Sequence, residues 1–294
     1  MGEGLIVKAL SGFYYVREGD RLVECKGSGK LRHQGLSPLV GDRVTFSEDA
    51  HGKGRIETVQ PRKNAFVRPS VANIDALICM TSDAIPVTDT YLVDRLSVTA
   101  VHNRCEVIIC VNKVDLVRSD RIPHIYDRTG FRVIPASAET GEGIEELREA
   151  VAGKICAFTG DSGVGKSSVL NALNPAFSLR VGEVSDKLGR GRHTTRHVEL
   201  FDLGGGTYLI DTPGFASFDM EAAEPVLCRD LQYDFPEFGP YLGQCRFQDC
   251  AHLKEPDCAV RAAVDARAIH PKRYQSYRMM YEDASKYKEW ELKK

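Results

Sequence analysis

The chain has 294 residues, 39 Lys and Arg against 41 Asp and Glu, a formal net charge of −2, and 43% hydrophobic residues. That length exceeds what one small core fills and implies two or three modules. The balanced charge excludes a uniformly basic nucleic-acid-coating chain, so any basic surface is local.

No apolar run approaches the ~20 residues of a membrane helix. The N-terminus MGEGLIVKAL lacks a signal-peptide pattern. A cytoplasmic protein with no membrane partner is expected. The nine cysteines are odd in number and scattered in apolar contexts, as at Cys79, Cys110 and Cys156. They read as reduced thiols, with any cluster being a metal site rather than a disulfide.

Residues 1–68 carry short strands separated by turn residues: LIVKAL, FYYV, RLVEC, GDRVTF and RIETVQP. This spacing predicts a small antiparallel β-barrel of OB or SH3-like type. Through Arg68 there are 12 Lys and Arg against 8 Asp and Glu, an excess of four. An RNA-binding face and a merely solvated charged face both fit that excess.

From about residue 70 to 218, strands and helices alternate. IDALICMTS, CEVIICVNK, FRVIPAS and KICAFTG read as buried strands, TYLVDRLSVTAVHN and GIEELREAVAG as helices, and HVELFDL and GTYLIDT as two further strands. An α/β domain with a mainly parallel sheet follows.

The segment GDSGVGKSS (Gly160, Asp161, Ser162, Gly163, Val164, Gly165, Lys166, Ser167, Ser168) follows a strand and opens a helix. This is the context a phosphate-binding loop requires. Its backbone N–H groups cradle phosphate oxygens. Lys166 is expected to reach the β- and γ-phosphates, and the Ser167 hydroxyl to hold Mg²⁺.

NKVD (Asn112, Lys113, Val114, Asp115) ends a buried strand and fits a guanine reader. The Asp115 carboxylate can accept from the ring N–H and exocyclic amine of guanine, a donor pair that adenine lacks. Asn112 can bridge base and phosphate loop, and the Lys113 stem can cover one ring face. Ser137 and Ala138 follow the next strand and would offer a backbone N–H to the guanine carbonyl. Asp211 in DTPG can bind Mg²⁺ through water, and the Gly214 N–H can sense the γ-phosphate. The segment GRGRHTTRHVEL precedes the penultimate strand, where a GTPase keeps its first switch. Thr195, with Thr194 second, is the candidate ligand of Mg²⁺ and γ-phosphate.

These motifs run base reader, Ser-Ala, phosphate loop, switch, DTPG. That is the GTPase order cut and rejoined, which a domain with neighbouring surface termini tolerates.

The third part, residues 219–294, contains CRFQDCAHLKEPDC. Cys245, Cys250, His252 and Cys258 make three thiolates and one imidazole, a closed tetrahedral set suited to one structural zinc. A metal there would substitute for apolar core material that the stretch lacks. Tyr274, Tyr277 and Tyr281 recur at helical spacing beside Lys272, Arg273 and Arg278. Packing within the module is the first reading and RNA contact the second.

The permuted motif order, with NKVD, GDSGVGKSS, GRGRHTTRHVEL and DTPGF, resembles the ribosome small subunit-dependent GTPase A family (RsgA, also called YjeQ or YloQ). The resemblance spans the whole chain. It implies an OB-fold barrel over 1–68, a circularly permuted α/β GTPase domain over 69–218, and a mainly helical zinc-binding module over 219–294. It also implies GTP and GDP as ligands, the small ribosomal subunit and its rRNA as partner, a late role in subunit maturation, and subunit-stimulated hydrolysis.

Phe215 follows DTPG where many GTPases place a water-orienting glutamine. Slow intrinsic hydrolysis is therefore expected. His193 beside the switch threonines is the candidate that orients water, a role the resemblance also implies, with Lys166 and Thr195 completing the catalytic set. Gly163 stands where some related GTPases carry a potassium-holding Asn, so potassium activation by that route is not expected. A monomer is expected. The alternatives are a GTP-gated RNA-binding module and a GTPase serving another RNA or ribosomal partner.

Overall fold

Short strands at the N-terminus, several of them alternating buried and more exposed residues, close on themselves. The computed structural model describes residues 1–50, 52–66, 70–175, 198–211 and 226–287. The calls on His193, Thr194, Thr195, Gly214 and Phe215 lie outside the described residues, as does the side chain of Asp211.

The strands β1 (Gly2–Leu10), β2 (Phe13–Glu18), β3 (Arg21–Gly27), β4 (Arg43–Glu48) and β5 (Gly54–Val59) pair in the order β1-β2-β3-β5-β4, and β1 returns to pair with β4. The β3–β5 pairing is parallel and the others are antiparallel. This closed five-stranded Greek-key path is the OB-type arrangement. Ile6, Val16, Val23, Val44, Phe46 and Ile56 fill its interior, and helix α1 (Gly29–His33) adds Leu31 to the core.

The chain leaves the barrel through a linker held to it by an ion pair. Arg62 donates to both oxygens of the fully buried Asp42 at 2.8 Å. A short hairpin of β6 (Ala65–Phe66) and β7 (Val71–Ala72) follows.

The α/β part contains β8 (Ala76–Ser82), α2 (Thr90–His102), β9 (Glu106–Asn112), α3 (Arg121–Tyr126), β10 (Arg132–Pro135), α4 (Ile144–Val151), β11 (Ile155–Thr159), α5 (Lys166–Leu173), β12 (Val198–Gly204) and β13 (Thr207–Asp211). Strands β10-β9-β8-β11-β13 are parallel, and β12 adds antiparallel to β13. The continuous apolar runs of β8 and β11 follow from cover on both faces. Leu77 and Cys79 of β8 pack with Val93, Leu96, Ile122 and Ile125 of α2 and α3. Ile78 and Met80 face Leu147 of α4 and Val169 of α5. Helix α3 contains Pro123 and spans only six residues, so its periodicity does not stand out in the sequence.

Strand β12 also pairs antiparallel with β1 of the barrel, through Lys8↔Glu199 and Ala9↔Val198. One sheet of eleven strands therefore runs through both parts. Ion pairs Lys8–Glu199 and Arg17–Asp202, each 2.8 Å, flank the junction.

The C-terminal part has α6 (Cys228–Leu231), two 3₁₀ turns (Gln232–Asp234 and Pro236–Tyr241), α7 (Ala259–Asp265) and α8 (Pro271–Ala284). Leu231, Phe235, Phe238, Val260, Ile269 and Tyr277 form its core, joined by Val98 of α2. The metal-binding stretch thus rests on an aromatic core supplied by flanking segments. Arg273 of α8 is fully buried at this junction. It donates to Asp94 of α2 at 2.7 Å and to Glu237 at 2.7 Å. Burial lowers its pKa, but the carboxylates of Glu237 and Asp94 more than compensate and hold it above its ordinary value.

Candidate functional site

Parallel pairing puts the informative ends of four strands on one edge. Thr159 lies opposite Cys79, Ser82 opposite Asn112, and Val111 opposite Pro135. The loops after β11, β9 and β10 therefore meet at the carboxyl edge of the sheet, where α/β folds bind ligands. Asp211 ends β13 on the same edge, because β13 runs parallel to β11.

The phosphate loop takes its shape from two crowded glycines. Gly160 has φ +144°, and a Cβ there would lie 2.4 Å from the Met80 carbonyl oxygen. Gly165 has φ +93° at the N-cap of α5, and a Cβ there would lie 2.2 Å from Asn112 Nδ2. Both need the left-handed backbone and the absent side chain. Gly165 gives α5 no side-chain cap, and its first turn carries no acidic residue. The first-turn amides thus present a positive helix end to an anion. Lys166 Nζ donates to the loop carbonyls of Gly160 (2.6 Å) and Asp161 (2.7 Å). Burial lowers the Lys166 pKa, and Asp161 acts against that shift. Ser162 is exposed, while Ser167 and Ser168 lie half-buried in the first turn of α5.

Asn112 joins three motifs. Its Nδ2 donates to the Val164 carbonyl at 2.9 Å, and its Oδ1 accepts from the Ala138 amide at 3.2 Å. The amide expected at the guanine carbonyl is thus shared with Asn112. Lys113 adopts φ +67°, an uncommon conformation for a residue with a side chain. This turns the chain so that Val114 donates to Ala136 and tucks into the core, while Asp115 stands exposed at the mouth. Ser137 is buried, and its Oγ accepts from the Thr140 amide. Its role is to shape the turn that presents Ala138.

The second site lies in the C-terminal part. One donor atom each from Cys245, Cys250, His252 and Cys258 falls within 4.8 Å of all the others. Cys245 Sγ is 3.9 Å from Cys258 Sγ and 3.5 Å from His252 Nδ1, which is 3.4 Å from Cys258 Sγ. A zinc tetrahedron with Zn–S and Zn–N bonds of ordinary length has edges of about 3.4–3.8 Å. The cluster therefore fits one structural Zn²⁺. His252 Nε2 meets Gln232 Oε1 at 2.9 Å, which keeps the proton on Nε2 and turns Nδ1 toward the metal. The Ala259 amide donates to Cys245 Sγ. Burial pushes the Cys250 thiol up to about 12, a preference that a bound divalent cation reverses by stabilising the thiolate.

Tyr274 OH donates to the His252 carbonyl at 2.7 Å, and Tyr277 OH to the Ala251 carbonyl at 2.9 Å. These two tyrosines brace the metal loop, which favours the packing reading, and the buried Arg273 is unavailable to RNA. The parts played by Gln232 and Asp94, and the burial of Arg273, are not legible in the sequence. Each is an ordinary polar residue without a motif, and its role arises from contacts distant in sequence.

A phosphate loop and an N-K-x-D strand end meet on one sheet edge, yet the N-K-x-D strand precedes the loop in the chain. Fold and site together define a circularly permuted P-loop GTPase carrying a Greek-key barrel and a Cys₃His module. The sequence model of the RsgA GTPase matches residues 59–221, and that of the RsgA N-terminal domain matches 3–56. The chain belongs to the RsgA GTPase family and is a GTP hydrolase working with GTP, GDP and Mg²⁺.

It is 41% identical over 277 residues to the small ribosomal subunit biogenesis GTPase RsgA of Clostridium beijerinckii, covering 93% of this chain and 94% of that protein. With the protein of the same name from Geobacillus kaustophilus the identity is 43% over 283 residues, 94% of this chain and 95% of the relative. The crystal structure of YjeQ from Thermotoga maritima superposes with a TM-score of 0.84 at 37% identity, over 98% of this chain and 99% of the other. That of YloQ, a circularly permuted GTPase, gives 0.80 at 32% identity, over 98% and 96%.

Proposed function

We propose that this protein hydrolyses GTP on the small ribosomal subunit, in the cytoplasm, during the late maturation of that subunit. The single observation that carries the nucleotide part is Asn112, which ties base reader, Ser-Ala turn and phosphate loop into one site. The names of the relatives support the subunit as partner.

In this reading Lys166 would exchange the loop carbonyls for phosphate oxygens, and Ser167 and Asp211 would hold Mg²⁺, which supplies charge neutralisation for phosphoryl transfer. Asp115 reads the guanine edge and Lys113 covers the ring. Thr195, with Thr194 second, would hold Mg²⁺ and the γ-phosphate, and Gly214 would sense the γ-phosphate. His193 would orient the attacking water in the subunit-bound state. The barrel, residues 1–68, contributes the rRNA-facing surface. The GTPase part spans 69–218, and the zinc-bearing part spans 219–294. The protein acts as a monomer.

Cosedimentation with small subunits in GDP and in a non-hydrolysable GTP analogue tests the partner. Binding should be stronger with the analogue, and added subunits should raise the hydrolysis rate. No cosedimentation in either state would move the activity to another RNA or protein partner. His193→Ala should leave GTP affinity and subunit binding nearly intact and lower the stimulated rate by roughly 10²-fold. A surviving stimulated rate would remove His193 from that role.

A further inference from the structure

The loop between β8 and α2 carries no recognised motif, yet it stands against both halves of the nucleotide site. Its ends are tied by hydrogen bonds. The Thr88 amide donates to the Ser82 carbonyl and the Ser82 amide to Thr88 Oγ1, both at 2.9 Å. Ser82 Oγ accepts from the Ala84 amide and donates to the Ala84 carbonyl, both at 3.0 Å. At the crest, Pro86 lies so near the phosphate loop that a Cβ on Gly163 would be 3.3 Å from its ring. The neighbouring Ile85 carbonyl accepts from Lys113 Nζ at 3.0 Å. The crest thus touches the phosphate loop and holds the head of the lysine in NKVD.

Arg121, the first residue of α3, holds this loop from outside the site. Its Nε donates to Asp83 Oδ1 at 2.7 Å, and its second guanidinium arm donates to the Thr88 carbonyl at 3.2 Å. Asp83 has a side chain only 6% exposed, and its Oδ2 is buried with no hydrogen-bond partner among the described residues. Arg121 is therefore the cation that answers this buried carboxylate. Removing it would leave an uncompensated charge that the loop could relieve only by moving Asp83 into water. Such a movement would carry the Ile85 carbonyl away from Lys113. Helix α3 is itself anchored, with Ile122 and Ile125 buried and Tyr126 OH bonded to Asp94 at 2.7 Å.

We infer that Arg121 is a positioning residue for guanine-nucleotide binding, acting through the 82–88 loop on Lys113. The inference rests on the reading of NKVD as the base reader. The physical gain is pre-organisation. A lysine whose ammonium is already bound loses less rotamer freedom when its stem settles on the base, so less of the binding energy is lost to ordering it.

A double-mutant cycle on the full chain tests this, using the dissociation constant of fluorescent GDP, with melting temperature and zinc content as controls. Arg121→Ala should weaken GDP about tenfold in the wild-type background. In a Lys113→Ala background the same change should have no further effect, because the residue it acts through is gone. Equal weakening in both backgrounds, or no weakening in the first, overturns the inference. Should Arg121→Ala lose its melting transition, Asp83→Asn serves instead. It keeps the side-chain shape, and it should weaken GDP several-fold, again only when Lys113 is present. An unchanged affinity in that variant is equally fatal. Asp115→Asn separates the two readings. If it weakens GDP while Arg121→Ala does not, only the positioning role fails. If it leaves GDP affinity unchanged, the base-reader reading and the inference built on it fail together.

Discussion

Gly165 shows how much one position can decide. It caps α5 in the left-handed region and leaves room for Asn112 Nδ2 at what would be 2.2 Å from a Cβ. Gly165→Ala should therefore both strain the backbone and push Asn112 off the Val164 carbonyl. The backbone term alone is about 1–2 kcal/mol, so GDP affinity should fall by about tenfold or more, measured by equilibrium titration. An affinity within a factor of two of wild type would show that the loop adapts. Asp115, exposed at the mouth, allows a cleaner exchange. Asp115→Asn turns one acceptor into a donor, so guanine nucleotides should weaken and xanthine nucleotides improve, with both affinities measured side by side. The glycines and the NKVD run were legible in the sequence because these chemistries need those residue types at fixed spacing. The Arg121–Asp83 pair was not, because 38 residues separate two unremarkable surface-type residues.

Helix α8 works as a beam between the metal loop and the GTPase part. Its tyrosines brace the metal loop, and its Arg273 reaches Asp94 on α2. Arg273→Ala would leave Asp94 and Glu237 buried without their cation. Loss of one partner of a buried pair costs about 3–5 kcal/mol, which denaturant unfolding would read directly; a loss below about 1 kcal/mol would show that water replaces the guanidinium. Cys250→Ser or His252→Ala should lower zinc content from about one ion per chain and loosen this part, since bound metal is folding energy here. Full occupancy in both variants would refute the ligand set.

The junction should also be sensitive to acid. His270 caps α8 by accepting from the Lys272 amide and packs edge-on against His124 of α3 at 5.3 Å. Burial, His124, Lys272 and Arg267 lower its pKa below 6.5, and Asp127, just after α3, acts the other way. The folded state thus binds fewer protons than the unfolded state just below that value. Stability contributed by neutral His270 is complete above about pH 6.5 and is lost as pH falls through the folded pKa. His270→Asn retains a capping side chain and should flatten the fall in melting temperature between pH 7 and pH 5.5. An unchanged slope would assign the acid sensitivity to other groups.

At the scale of the molecule, the barrel and the α/β part share one sheet through β1 and β12. The cover on the α2 and α3 side is likewise continuous with the barrel interior. The barrel therefore covers an edge that would otherwise offer unpaired N–H and C=O groups. A chain beginning at Gln60 should expose β12 and self-associate, seen as concentration-dependent elution in size-exclusion chromatography. A strictly monomeric fragment would mean that Glu199 and Asp202 protect the edge by charge. The sheet also places the barrel two strands from β13, so the barrel and the strand bearing Asp211 belong to one framework.

Local chemistry and periodicity determined the existence of a small barrel, the α/β alternation, the phosphate loop, the N-K-x-D strand end and the four metal donors. Each depends on residue type within a few positions, and the reversed motif order was legible because motifs keep their identity when the chain is cut elsewhere. Only the tertiary structure decided between OB and SH3-like barrels, since that turns on the parallel β3–β5 pairing and the closure of β1 on β4. It alone showed barrel and GTPase parts joined in one sheet, Arg273 buried between α2 and the 3₁₀ turn bearing Glu237, and Arg121 holding the loop beside Lys113. These contacts join residues up to 191 positions apart. No spacing rule encodes them, because which side chains meet depends on how the packed elements lie against one another.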